Sequence, residues 1–419
     1  MNLPEQSSPS KQGPGRDGRR IILLAVVLLL SRLPLVPHPT PVHPDETAFI
    51  SGIGFPADYP VHPPGYPLWV ALGTLLHHAG LSPYGAFQVW SLAASVIAPV
   101  LFYLGLRWLV SAHAAWWLAA AFGVSPLLWF QSATALTFAA ATTLGLVVVG
   151  LCFKALHSED RSHPLWAVAT LCIGVLLRGD MIIYLGPLCI WTIWRRRKHG
   201  GPGALTLLVI GCLAYAALTL FLYSRGEGAS AASRFEHSRE VIMGTSVFRL
   251  GLVHGLLRNA VKVAVNVAWD LGLASFLLPP ACWILWRRRQ RWPASATLLL
   301  WWLLPGVLFL LCMHVVQGYV LLLLPAAYVI LGLAMEARFS PKVAARTAAL
   351  IAALSAAQFL FYPWSVQSTG FKRRLDAKIA FQSAAGLRHI DQRALIHEQG
   401  DYWRTGAHQT GPAPGNGLP

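Results

Sequence analysis

RRIILLAVVLLLSRLPLVP, residues 19–37, decides the fold. Its apolar run, 21–37, reaches the ~17-residue minimum for a helix that crosses a ~30 Å hydrocarbon core, and two arginines stand before it. Comparable runs recur at about 84–108, 114–132, 135–156, 164–178, 181–194, 203–224, 265–286, 295–315, 318–336 and 343–363. No strand-type alternation competes with them, and a bilayer accepts such single spans only as helices. The expected fold is all-α, a polytopic transmembrane helix bundle of about 11 spans.

Composition points the same way. Apolar residues make up 55% of the 419 and charged residues 12%, roughly half the ~25% of a soluble domain. The 33 Lys and Arg outnumber 17 Asp and Glu, but many stand at the ends of apolar runs, so topology explains them and no nucleic-acid partner is expected. Cys152, Cys172, Cys189, Cys212, Cys282 and Cys312 lie in or beside apolar runs without metal-type spacing, as packing residues do. Residues 1–20, rich in Gly, Pro and Ser, are expected to form a disordered cytoplasmic N-terminus. With no small-residue cleavage site, the first span reads as an uncleaved anchor.

Charge orients the chain. With the N-terminus inside, the cytoplasmic ends carry Arg107, Lys154, the run Arg195 to Lys198, the run Arg287 to Arg291, and Arg338, Lys342 and Arg346. That agrees with the positive-inside rule at every turn. The module 21–363 then has outer loops at 38–83 and 225–264, and 364–419 forms a short periplasmic tail. The stretch from Tyr66 to Gly80 is short for a span and ends in His77 and His78, as a helix lying at the outer interface would.

The outer loops break the charge rule, and that makes them candidate sites. In FRLGLVHGLLRNAVKVAVNVAWD, residues 248–270, His254, Arg258 and Lys262 recur every fourth residue on one side of a helix. Such a stripe can grip a lipid phosphate or simply snorkel to the interface. In LLRGDMIIYLG, residues 176–186, Arg178 needs a partner or a wet cavity so near hydrocarbon, and Asp180 is at hand. His314, Gln317 and Tyr319 lie in a turn between two spans, at the outer rim.

HPDET, residues 43–47, puts two acids directly after the first span. A carboxylate there can take a proton from an attacking hydroxyl, bind a divalent metal with a neighbouring His, or cap a helix. Adjacent Asp45 and Glu46 cannot share one point of a helix, so their roles should differ. His43 and His62 suit hydrogen bonding to a phosphate or carboxylate better than metal ligation, because their spacing matches no closed metal motif. Asp58 reads as an ordinary loop acid. Pro63, Pro64 and Pro67 stiffen the loop's exit.

The order HPDE (43–46), VHPPGYPLWVALG (61–73) and GYVLLLLPAAYVILGL (318–333) resembles the GT-C superfamily of polyprenyl-phosphate-sugar-dependent glycosyltransferases. The likeness is to bacterial relatives of protein O-mannosyltransferases and lipid A aminoarabinose transferases, and it covers roughly residues 20–363. It implies a hexosyl- or pentosyltransferase of the bacterial inner membrane, with a polyprenyl-phosphate-linked sugar donor and a glycan, lipid or protein acceptor on the periplasmic side. Asp45 matches the residue that acts as base or helps hold a metal, Mg or Mn, and Glu46 takes the second acidic position. Members often carry Arg or Lys before the late Tyr; here Gln317 and Gly318 precede Tyr319, which leaves the donor phosphate to Arg178, Arg258 or Lys262, beside His62, His314 and Tyr319. The rival class is a transporter or flippase of a lipid-linked sugar. No internal repeat supports it, but Asp270, just inside a span, could serve a proton or substrate path or bond to a neighbouring helix.

Overall fold

The computed structural model describes residues 14–33, 44–53, 65–197, 201–225, 236, 239–240, 242–288, 293–313, 315, 317–361, 364–366 and 373–375. Helices account for nearly all of them. In chain order they are α1 (Pro14–Arg32), α2 (Pro44–Ser51), α3 (Pro67–His78), α4 (Pro83–Leu106), α5 (Ala112–Gly123) and α6 (Pro126–Gln131). Then come α7 (Phe138–His157), α8 (Ser162–Leu177), α9 (Met181–Arg195), α10 (Gly201–Arg225), α11 (Val247–Leu250) and α12 (Leu252–Leu271). A 3-10 segment (Gly272–Leu277) leads into α13 (Leu278–Arg287), followed by α14 (Pro293–Cys312), α15 (Gln317–Leu321), α16 (Leu324–Arg338) and α17 (Pro341–Phe361). Trp364–Val366 and Arg373–Leu375 pair as a short antiparallel ribbon.

Prolines open α3, α4, α6, α13 and α16 at positions where no backbone N–H is needed. Among the described residues, four stretches are long and apolar enough to cross a membrane: Pro83–Leu106, Phe138–His157, Pro202–Leu222 and Leu252–Arg287. Ser162–Leu177, Met181–Arg195 and Ala296–Cys312 are shorter apolar helices. The chain packs α4 against α5 and α7, α7 against α8, α8 against α10, α9 against α14, and α17 against α5. Outward faces stay apolar, with Leu213 and Leu220 on α10 66% and 71% exposed, as a helix facing lipid requires.

Alternating helix directions sort the turns into two ends. At one, Trp69 donates to the Ala135 carbonyl (3.0 Å), Gln88 to that of Ala133 (2.8 Å), and Thr245 to that of Met313 (3.2 Å). At the other, Arg107 pairs with Asp17 (2.6 Å), the Ser111 N–H donates to Glu336 (2.8 Å), and Arg196 donates to the Ser158 carbonyl (2.7 Å). Residues 195–197, 287–288 and 338 fall at this second end, opposite Asp45 and Glu46.

Three expected spans are interrupted, among them the run 318–336, which divides into α15 and α16 at 322–323. The run 114–132 is two helices, α5 and α6, separated at 124–125. Irregular backbone at membrane depth survives only when protein satisfies it. Here the fully buried Arg32 donates to the Gly123 carbonyl at the end of α5, to Ser95 (2.9 Å) and to the Leu28 carbonyl (3.0 Å). The Asp270 carboxylate accepts the Leu127 N–H at the start of α6 (2.9 Å). A cation thus meets a helix C-terminus and an anion a helix N-terminus, as the helix dipoles favour. Another interrupted span, expected at 265–286, begins instead at Leu252 and is broken by the 3-10 segment that opens at Gly272, whose φ of 54° suits glycine.

Candidate functional site

The first end of the bundle is built around the connection from α6 to α7, residues 132–137. It is buried, so its backbone must find partners inside the protein. Side chains supply them: Trp69 on α3 binds the Ala135 carbonyl, Gln88 on α4 that of Ala133, and Ser91 that of Leu136 (3.1 Å). Glu46 completes the set by accepting the Ala135 N–H at 2.7 Å.

That bond separates the two acids. They are adjacent on the first turn of α2, about 100° apart around its axis. Glu46 points inward and is fully buried, with Tyr84 also in hydrogen-bonding reach. Asp45 stays half-buried at the rim, where its charge acts on the hydroxyls of Tyr66 and Tyr319. Phe49 fixes the orientation of α2 through an edge contact with Tyr66 (5.1 Å) and a tilted one with Phe87 (6.0 Å). Burial raises the Tyr66 hydroxyl well above its ordinary pKa, against the opposing pull of Arg178, so it stays protonated and able to donate.

Arg178 is the hub of the site. Its side chain is 4% exposed, and its Nε and Nη2 reach the two oxygens of Asp180 at 2.8 and 3.0 Å in a fork-to-fork pair. Nη1 donates to Thr137 Oγ1 at 3.0 Å. The guanidinium is stacked against Phe138 (4.0 Å to the ring centre) and Tyr319 (4.6 Å). Gly318 makes this possible, since a Cβ there would stand 2.3 Å from the Phe138 ring. The expected pairing of Arg178 with Asp180 is thus present, and with it Arg178 is largely committed.

Arg258 and Lys262 are placed differently. They follow each other by one turn on α12, both half-buried, each within the other's field, and no carboxylate pairs with either among the described residues. Asn259 holds this helix against the end of α14 by donating to the carbonyls of Thr245 (3.2 Å) and Leu311 (3.0 Å). His254, one turn earlier, is exposed. His43, Asp58, His62 and His314 lie outside the described residues, and Gln317 opens α15 with its side chain likewise outside them. Among the described residues no three His, Cys, Asp or Glu converge as metal ligands.

The sequence did not single out Thr137 or Phe138, which complete the Arg178 cage. Neither carries charge or motif; a hydroxyl and a ring at the start of a span, within reach of an arginine at membrane depth, were the available signal.

No family model matches the sequence, and no curated protein sequence matches it. Solved structures do. ArnT from Cupriavidus metallidurans in the apo state superposes with a TM-score of 0.59 at 15% identity, over 92% of this chain and 74% of ArnT. ArnT bound to undecaprenyl phosphate superposes with a TM-score of 0.58 at 15% identity, over 93% of this chain and 76% of that one. At this identity the likeness is one of fold: the chain shares the helical-bundle fold of ArnT.

Proposed function

We propose that the chain is an integral-membrane glycosyltransferase, which moves one hexose or pentose from a polyprenyl-phosphate donor to a hydroxyl on the periplasmic face of a bacterial inner membrane. The acceptor is a glycan, lipid or protein. The fold likeness to ArnT supports this, as does the presence of undecaprenyl phosphate in one ArnT structure. The observation that carries it is the placing of Asp45, a rim carboxylate facing Tyr66 and Tyr319 beside the Arg178 hub.

In this reading Asp45 accepts the proton of the acceptor hydroxyl as its oxygen bonds to the anomeric carbon from the face opposite the phosphate. The carbon–oxygen bond to the phosphate breaks, the polyprenyl phosphate leaves with the electron pair, and the configuration inverts. Arg258 and Lys262, which lack carboxylate partners among the described residues, meet the charge growing on the leaving phosphate. Arg178, neutralised by Asp180, positions Tyr319 instead. Glu46 holds the 132–137 connection in place. A divalent metal, Mg or Mn, fits poorly with the described residues, since Glu46 spends an oxygen on Ala135, and no step here passes through one.

A second reading, a transporter or flippase of a lipid-linked sugar, draws support from the helix breaks at 124–125 and 272–277, because transporters build their sites at such breaks. Mass spectrometry of envelope glycans and glycolipids with and without the gene separates the two. A transferase predicts loss of one sugar and build-up of its lipid-phosphate donor; donor confined to the cytoplasmic leaflet would instead identify a flippase.

A further inference from the structure

The two helix breaks meet at a buried acid that the transfer reaction does not use. Asp270 is fully buried on the last turn of α12, just before the 3-10 segment, and one of its oxygens caps the first turn of α6 through Leu127. Its other oxygen, Oδ2, has no partner among the described residues. Nor does any cationic side chain among them act on it: burial and the Leu127 N–H are the influences it feels.

Three more buried oxygens in its neighbourhood keep acceptor capacity among the described residues. Asn266 lies one turn earlier on the same face of α12; its Nδ2 donates to the Lys262 carbonyl (2.9 Å), which leaves Oδ1 unmatched. Ser125 is the residue before α6, two positions from Leu127, and its hydroxyl is unmatched. Ser355 on α17 is within hydrogen-bonding reach of the Tyr328 hydroxyl, which is itself within the field of Asp270, and a hydroxyl that donates there still has lone pairs to offer; α17 packs on both α6 and the 3-10 segment.

Ionised without a countercharge, a buried carboxylate costs several kcal/mol by desolvation, so it either takes up a proton or is met by a cation. Oxygen-only donors of one negative and several neutral groups, placed where two helices are interrupted, are the ligand set of a hard cation of low charge. We propose that Asp270 Oδ2, Asn266 Oδ1, Ser125 Oγ and Ser355 Oγ form a binding site for a monovalent cation of the size of Na+. The bound ion supplies the missing countercharge and locks α6, α12 and α17 together.

The test is thermal unfolding of the full chain in detergent micelles at constant ionic strength and heating rate, with NaCl exchanged for choline chloride or KCl. Na+ should raise the apparent Tm logarithmically once it exceeds its dissociation constant, by roughly 3–5 °C at a hundredfold excess over that constant, and choline should not. Asp270→Asn should abolish the response. Should that variant fail to fold, Asn266→Leu and Ser355→Ala each remove one ligand and should move the onset of the Tm rise to at least tenfold higher Na+. An equal Tm in Na+, K+ and choline, or variants with the wild-type Na+ response, would overturn the site and leave the transferase reading untouched.

Discussion

At the residue scale, neighbours in sequence have separate tasks. Asp45 and Glu46 were legible as a chemically loaded pair, but their ranking depended on which way each points, and that is set by Phe49 packing on Tyr66 and Phe87. If Glu46 serves to hold the Ala135 N–H, Glu46→Gln keeps an acceptor there and retains most transfer activity. Glu46→Ala strands a buried donor and lowers stability by about 1–3 kcal/mol, measured by unfolding in detergent. Loss of all turnover in Glu46→Gln with the fold intact would assign it a proton instead. Arg178 makes a sharper case. Asp180→Ala leaves a buried guanidinium between two rings without its carboxylate and should cost about 3 kcal/mol or more. Arg178→Lys should not rescue, because an ammonium cannot replace the two-pronged fork.

At the element scale, most long helices follow from apolar length alone, and the broken ones show where length misleads. Gly123, Ser125 and Pro126 together are a stop and a start signal, masked by apolar residues on both sides. For α12, His254, Arg258 and Lys262 lower the average hydrophobicity of a helix whose exposed side remains apolar, with Val253 80% exposed, and so an expected start at 265 is late. Gly318 belongs to the same scale, because the tight meeting of α15 and α7 depends on it. Gly318→Ala should push the Phe138 ring aside, destabilise by about 1–3 kcal/mol and lower transfer more than the stability loss explains. An unchanged kcat would separate the Arg178 cage from the reaction.

At the scale of the molecule, composition and the ends of apolar runs sufficed for a polytopic helical bundle, whereas the site depends on contacts between turns far apart in the sequence, which no local pattern encodes. Glu46 reaches Ala135, and Tyr319 reaches Arg178. The two-ended sorting of charge predicts an orientation. In a version without native cysteines, Ala79→Cys should react with a membrane-impermeant maleimide in whole spheroplasts, and Glu159→Cys only after lysis. The most direct measurement is sugar transfer by the reconstituted protein in vesicles supplied with a polyprenyl-phosphate-sugar donor and acceptor, comparing wild type with Asp45→Asn. Loss of the base should lower kcat by roughly 10²–10⁴-fold with donor binding retained. Full activity in Asp45→Asn would contradict the assignment of the proton to Asp45.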